Sequence, residues 1–88
     1  MQINEALQVI IRPYVTERTF DLIEKQNKLV FLVNESARKR KIRDAVEMLY
    51  EVDVLSVKVA NTISGKKAFV RLKGTSSASD LASKLGLV

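Results

Sequence analysis

The chain has 88 residues, with 15 Lys and Arg against 10 Asp and Glu, so its formal net charge at neutral pH is +5. Hydrophobic residues make up 47% of it and charged residues 28%, a balance that is typical of a folded globular protein and not of a disordered one. The absence of Cys and His excludes disulfides, thiolate nucleophiles, Cys/His zinc sites and catalysis by an imidazole base. The excess of cations favours an acidic partner, such as nucleic acid or an anionic membrane surface.

Patterns that mark membrane proteins, secreted proteins and enzymes are missing from the sequence. The longest apolar runs, 9–11 and 29–33, are far shorter than the ~20 residues that a membrane helix needs. No basic segment followed by a long apolar run marks a secretory signal. The three glycines are isolated and form no phosphate-binding loop. We therefore expect a cytoplasmic, single-domain protein over residues 1–88, without membrane insertion, enzymatic activity, cofactor or metal.

The first third of the chain is predicted to form a strand and then a helix. Leu7–Ile11 is short, apolar and β-branched, as expected of a strand, and Arg12–Pro13 would end it because proline cannot donate to a sheet. Thr16 has the chemistry of a helix N-cap, and Glu17 suits the positive end of the helix dipole. The helix would end near Gln26–Asn27. Its core side is predicted to carry Phe20, Leu22 and Ile23.

The middle of the chain predicts a buried strand and a second helix. Leu29–Val33 is the most hydrophobic stretch and suits a central strand. The second helix would open at Ser36 or Arg38. Its apolar residues recur at i, i+3, i+4 and i+7, so one face is predicted to be buried. These residues are Ile42, Ala45, Val46 and Leu49.

The first turn of this second helix is strongly basic, with cations at 38–41 and at Arg43. Cations near a helix N-terminus oppose the helix dipole, and each costs about 0.3–1 kcal/mol when exposed. Helix N-termini are also natural phosphate sites. A bound polyanion therefore explains the cluster better than stability does, and the alternative is a merely solvated basic face.

The stretch from Leu55 to Leu72 is predicted to be a β-hairpin, because apolar and polar residues alternate on both sides of a turn signal at Ser64-Gly65. The core face would carry Leu55, Val57, Val59, Ala68, Val70 and Leu72. The opposite face would carry Lys58, Lys67 and Arg71 around one aromatic ring, Phe69. Such a face suits a polyanion that also offers bases or sugars, although a solvated face is the alternative interpretation.

The last segment predicts a small-residue linker, Gly74–Ser79, and a short helix. Ser77 would cap this helix, with Asp80 at its third position and Gly86 just beyond its end. Its buried side would carry Leu81, Ala82 and Leu85. The whole chain thus predicts an α+β fold of the α/β-plait type, a four-stranded antiparallel sheet with three helices. Their order is strand, helix, strand, helix, strand, strand, helix.

Two short segments resemble signatures of the RNA-recognition motif. Residues 30–34 resemble the signature of that domain's first strand, and residues 66–72 partly match that of its third strand, whose aromatic residues stack on bases. Lys67 stands where a stacking aromatic is expected, so Phe31 and Phe69 would be the platforms. The resemblance implies a related plait in which the N-terminal strand replaces the missing last strand. A free-standing RNA-recognition-motif-like module is therefore an alternative function, and a protein–protein adaptor using the sheet edge is another.

A second resemblance covers the whole chain and is to the universal large-subunit ribosomal protein L23 family. Residues 10–19 resemble the family's opening signature, and 27–31 and 41–47 continue it. Residues 57, 61–62 and 66–72 match its closing hairpin, and 81–86 resemble the ending of archaeal members. The resemblance implies the spatial strand order 1-2-4-3.

The family resemblance implies a structural component of the large ribosomal subunit, in the cytoplasm. It would bind large-subunit rRNA near the polypeptide exit tunnel, beside neighbouring ribosomal proteins. It would contribute to the docking surface for nascent-chain factors, with the signal recognition particle and the translocon as partners. Arg38 and Lys41 depart from a frequent Thr cap and Glu. The hairpin turn, Ile63–Lys66, is too short for the tunnel-entering loop of bacterial members.

The expected rRNA-binding residues are cationic or polar, or aromatic in one case. Lys and Arg neutralise phosphates, and polar side chains contact sugars and bases. For rRNA they are Arg12, Thr16, Arg18, Lys39, Arg40, Lys41, Lys58, Asn61, Thr62, Lys66, Lys67, Phe69 and Arg71. In the family, at least in bacteria, an acidic residue of the Thr-Glu motif supports docking of exit-site factors. That residue corresponds to Glu17, whose alternative role is only to stabilise the start of its helix.

Overall fold

The computed structural model describes residues 1–87. Its elements are α1 (Ile3–Val9), β1 (Ile10–Pro13), α2 (Glu17–Gln26), β2 (Lys28–Val33), α3 (Lys39–Tyr50), β3 (Val54–Thr62), β4 (Gly65–Leu72) and α4 (Ala78–Lys84). The strands form one antiparallel sheet in the order β1-β2-β4-β3. This confirms the predicted plait and the strand order that the family resemblance implies. The described chain has four helices instead of the predicted three.

The extra helix is α1, and the predicted strand over Leu7–Ile11 is wrong in its first half. Ala6 and Val9, three residues apart, are buried, whereas Leu7 is 61% exposed, so the burial follows a helical period. The strand starts only at Ile10. A helix of seven residues is marginal in isolation. Packing of α1 against α3, which local sequence does not show, therefore decides the conformation of this segment.

The hydrophobic core lies between one face of the sheet and the helices. From the sheet it contains Leu29, Phe31, Val33, Ala68, Val70 and Leu72, and from α3 it contains Ile42, Ala45 and Val46. The predicted apolar faces of β4 and α3 are thus confirmed. The Phe31 ring stacks on Tyr50 with centroids 5.5 Å apart. Burial raises the pKa of the Tyr50 hydroxyl above its ordinary value of 10.0.

The start and end of α2 are confirmed, but its buried side differs from the prediction. The Thr16 side chain accepts from the Thr19 amide at 3.3 Å, and Thr19 Oγ1 accepts from the Thr16 amide at 2.7 Å, which makes a reciprocal cap. The buried residues of α2 are Thr19 and Ile23. Phe20 is 36% exposed, so its predicted place in the core is wrong. Asn27 ends the helix in the left-handed conformation, with φ 54°.

The hairpin forms as predicted except at its first residue and its turn. The register shifts between Val54 and Ser56, and this bulge leaves Val54 fully buried and Leu55 55% exposed. The predicted core position of Leu55 is therefore wrong. The loop contains Ile63 and Ser64, and Gly65 begins β4 with φ +121°, a backbone conformation that favours glycine.

Candidate nucleic-acid interface

The sheet face opposite the core carries the cationic side chains of the hairpin. We call it the open face. By strand alternation and register it contains Arg12, Lys28, Val30, Leu32, Ser56, Lys58, Ala60, Lys67, Phe69 and Arg71. None of the described strands contains an acidic residue. The open face therefore presents positive charge that no carboxylate on the sheet compensates.

Phe69 lies at the centre of these cations. Across the sheet it pairs with Val30 on β2 and with Lys58 on β3. Along β4 it is flanked by Lys67 and Arg71, two residues away in each direction and thus on the same face. The ring is half-buried, so part of it remains accessible. A partly accessible ring among three cations can contact a base or sugar while the phosphates are neutralised.

A hollow of about 400 Å³ lies where the open face meets the start of α2. It is lined by Tyr14, Thr16, Arg18, Thr19, Leu22, Val30, Thr62, Lys67 and Phe69. The Lys67 ammonium lies over the Tyr14 ring, 3.9 Å from its centroid, a cation–π contact. The hollow thus combines aromatic rings, hydroxyl groups and cations in one place.

The structure divides the predicted rRNA-binding residues into three groups. The open face and its hollow bring together Arg12, Thr16, Arg18, Lys58, Thr62, Lys67, Phe69 and Arg71. The first turn of α3 holds Lys39, Arg40 and Lys41. Asn61 and Lys66 pair with each other near the hairpin end, and by strand alternation they lie on the core side of the sheet instead of the open face.

Lys66 already has partners within the protein. Its ammonium donates to the carbonyl of Ala37 at 2.6 Å and to that of Glu35 at 3.4 Å, and it thereby ties the hairpin to the loop before α3. This contact gives Lys66 a structural role in addition to its predicted one. Glu17 is exposed in the first turn of α2, where it complements the helix dipole.

The first turn of α3, with Lys39, Arg40 and Lys41, is called the α3 turn below. Its cations lie at the positive end of the helix dipole, as the sequence indicates. Arg38 is the N-cap and makes no side-chain capping bond, and the first turn contains no acidic residue. Lys41 lies 3.8 Å from Glu5 of α1, but both side chains are more than half exposed, so the pair contributes little. Within residues 1–87, Lys39 and Arg40 form no salt bridge.

Two features of the interface were missed from the sequence, and one was misplaced. Lys28 pairs with Arg71 and adds a cation to the open face, as the hairpin register would have indicated once β2 was placed beside β4. Tyr14 follows β1, and no pattern signalled its approach to Lys67. Phe31 is fully buried in the core, so the predicted pair of stacking platforms is wrong and Phe69 alone remains.

The part of the chain that the structure describes, residues 1–87, lacks two further features. None of its helices has the length and apolar character needed to cross a membrane. It also contains no cluster of three acidic side chains arranged to hold a metal ion.

Comparison with known proteins supports the resemblance over nearly the whole chain. The family model described as Ribosomal protein L23 matches residues 8–80. The protein is 38% identical over 84 residues to a protein of Methanococcus aeolicus named large ribosomal subunit protein uL23, covering 94% of this chain and 98% of that relative. It is 39% identical, with the same coverage, to the protein of that name from Methanococcus vannielii. The chain therefore belongs to the ribosomal protein L23 family, and it is a structural protein of the cytoplasmic ribosome that serves translation, not an enzyme.

Proposed function

We propose that this protein is a structural component of the large ribosomal subunit that binds large-subunit rRNA, with residues 1–88 acting as one rRNA-binding unit. The observation that carries the proposal is the position of Phe69 on the open face, between Lys58, Lys67 and Arg71. The cations neutralise phosphates and release counterions, which supplies affinity, while the ring and neighbouring hydroxyl groups contact sugars and bases. The α3 turn adds a second set of phosphate contacts.

The family resemblance further supports a position near the polypeptide exit tunnel, beside other ribosomal proteins. In this proposal the open face, the hollow and the α3 turn bind rRNA, and the exposed carboxylate of Glu17 in the first turn of α2 remains available to nascent-chain factors. The loop of the hairpin contains only Ile63 and Ser64, so it does not reach along the tunnel wall. The signal recognition particle and the translocon are the proposed docking partners.

Replacing Phe69 with Ala should weaken binding to large-subunit rRNA by about 1–3 kcal/mol, because a stacked base loses its platform. Binding of wild type and variant to rRNA freed of protein, measured by filter retention, gives this value. Phe20→Ala is the matched control, since Phe20 is also a partly exposed phenylalanine but lies on α2 away from the open face. Equal affinities of wild type and a folded Phe69→Ala variant would contradict a stacking role for this ring.

Replacing Glu17 with Ala should leave rRNA affinity nearly unchanged and reduce cross-linking of the signal recognition particle to assembled ribosomes. Glu17 is exposed and lies outside the open face, so its loss removes a docking carboxylate without touching the RNA contacts. Glu24→Ala on the same helix is the control, because it removes an exposed carboxylate from a later turn. If the signal recognition particle cross-links to Glu17→Ala ribosomes at wild-type yield, Glu17 has no docking role and only stabilises the start of its helix.

The alternative functions make different predictions. A free-standing RNA-recognition module loses support because Phe31, its second expected platform, is inside the core. A protein–protein adaptor would bind through the sheet edge with little dependence on salt, whereas rRNA binding weakens steeply with salt. Co-sedimentation with large subunits after a moderate salt wash supports the ribosomal role, and recovery only in the free fraction would contradict it.

A further inference from the structure

The hollow beside Phe69 has the composition of a site for a flat, anionic ligand. Its volume of about 400 Å³ falls within the range of small-ligand sites. Two aromatic residues, Tyr14 and Phe69, and two cations, Arg18 and Lys67, line it, and no acidic residue does. Aromatic faces attract nucleobases of any identity, and cations attract the adjoining phosphate. The ligand class that matches both features is a nucleotide.

The backbones of Tyr14 and Phe69 are both held by the same residue of β2. Val30 accepts a hydrogen bond from the Tyr14 amide at 2.8 Å and pairs across the sheet with Phe69. Val30 is only 2% exposed although it lies on the open face, so the surrounding side chains cover it and it forms the base of the hollow. The aromatic residues are therefore positioned by the backbone of the sheet before any ligand arrives, which lowers the entropic cost of binding.

We propose that this hollow holds one unstacked nucleotide of the rRNA, with its base against Tyr14 and Phe69 and its phosphate near Arg18 and Lys67. The proposal rests on the proposed rRNA binding and names the part of the RNA that the site takes. Structured RNA is read mainly through bases that loops and bulges splay out, and such bases stack on aromatic side chains. A regular RNA helix does not offer a free base to the hollow.

Lys67 changes partners in this scheme. In the free protein its ammonium lies over the Tyr14 ring, on the face that a base would use. Cation–π contacts are weak where the cation is solvated, and a phosphate is a stronger partner for an ammonium group. The arriving base takes the ring face, and Lys67 moves to the phosphate of the same nucleotide.

Two hydroxyl groups of the hollow remain able to contact the nucleotide. Thr16 Oγ1 accepts from the Thr19 amide, which leaves its own proton to donate. Thr62 Oγ1 donates to the Gly65 carbonyl at 2.7 Å, which leaves its oxygen to accept. One donor and one acceptor can contact a base edge or the ribose 2′-hydroxyl.

The chain has two tyrosines and no tryptophan, so tyrosine fluorescence tests the proposal directly. In a Tyr50→Phe variant Tyr14 is the sole tyrosine, and the lost hydroxyl lies on the core side of the sheet, where Tyr50 stacks on Phe31. Large-subunit rRNA freed of protein should shorten the fluorescence lifetime of Tyr14, because a stacked base quenches the ring. The lifetime is measured instead of the intensity, since RNA absorption does not affect it.

Two controls separate stacking from charge. In a Tyr14→Phe variant only Tyr50 emits, and its lifetime should not change when rRNA binds. Inorganic polyphosphate, which carries the charge of RNA without bases, should leave the Tyr14 lifetime of the Tyr50→Phe variant unchanged.

Replacing Tyr14 with Leu should lower rRNA affinity roughly tenfold without changing its salt dependence, since a stacking contact is lost and the phosphate contacts remain.

The outcomes distinguish this inference from the function on which it rests. Binding of rRNA at wild-type affinity with an unchanged Tyr14 lifetime would overturn the nucleotide site and leave rRNA binding intact. An equal shortening by polyphosphate would also overturn it, because charge alone would then be responsible. Failure of the wild-type protein to bind rRNA would contradict the proposed function itself.

Discussion

Replacing Asn27 with Ala should lower the free energy of unfolding by about 3 kcal/mol, although the residue is only half-buried. Asn27 adopts the left-handed conformation that ends α2, where alanine is strained by about 1–2 kcal/mol. Its side-chain amide donates to the carbonyls of Leu72 at 3.1 Å and Ser76 at 3.0 Å, and its oxygen accepts from the Ala78 amide at 2.7 Å. The substitution removes the partners of these backbone groups.

Asn27→Gly separates the two causes, because glycine adopts the left-handed conformation without strain but makes no side-chain bond. We expect Asn27→Gly to regain the part of the stability that Asn27→Ala loses through backbone strain. It should still be less stable than wild type, because the side-chain hydrogen bonds are missing. Glu51 is the matched control: it has nearly the same backbone conformation at the end of α3, with φ 53°, and its side chain makes no hydrogen bond in the described structure. Urea unfolding measures the free energy of unfolding of Asn27→Ala, Asn27→Gly and the control Glu51→Ala. Wild-type stability of Asn27→Gly would show that the hydrogen bonds contribute nothing net.

Changing Lys39, Arg40 and Lys41 together to Gln should weaken rRNA binding and flatten its salt dependence. If all three contact phosphates, the slope of log affinity against log salt should fall by about 2–3 units. The same variant should keep its thermal stability, or gain at most about 1 kcal/mol at low salt, because cations at a helix start oppose the dipole and one another. The Lys41–Glu5 pair is too exposed for its loss to reverse this expectation.

A control variant with the same change of net charge tests whether position matters. Lys25, Lys73 and Lys84 are exposed and lie outside the open face and the α3 turn, and two of them occupy the last turns of α2 and α4. Their replacement by Gln should leave the salt slope near that of wild type and lower stability slightly, since cations favour helix ends. Equal flattening in both variants would assign the effect to net charge. If the α3 variant is less stable than wild type and its salt slope is unchanged, Lys39, Arg40 and Lys41 have a structural role and do not contact phosphates.

Much of the fold follows from patterns within a few residues of each other. Thr16 and Ser77 cap helices because their hydroxyl groups accept from amides three residues ahead, and both positions were predicted correctly. The alternation in β4 and the helical spacing in α3 identify their buried faces, because each face repeats with the period of its own backbone. The cations around Phe69 share a face for the same reason, so the central part of the candidate interface could be predicted.

The remaining features depend on contacts between distant segments. Leu29–Val33 is apolar on both faces, so its alternation does not show that Phe31 enters the core, and only its pairing with Ala68 decides this. Neither the helical state of α1, which needs α3, nor the bulge that exposes Leu55 has a local signal. The hollow joins Tyr14 of the loop after β1, Leu22 of α2 and Phe69 of β4. Side chains that meet only after the chain has folded leave no periodic trace in the sequence, and tertiary packing alone brings them together.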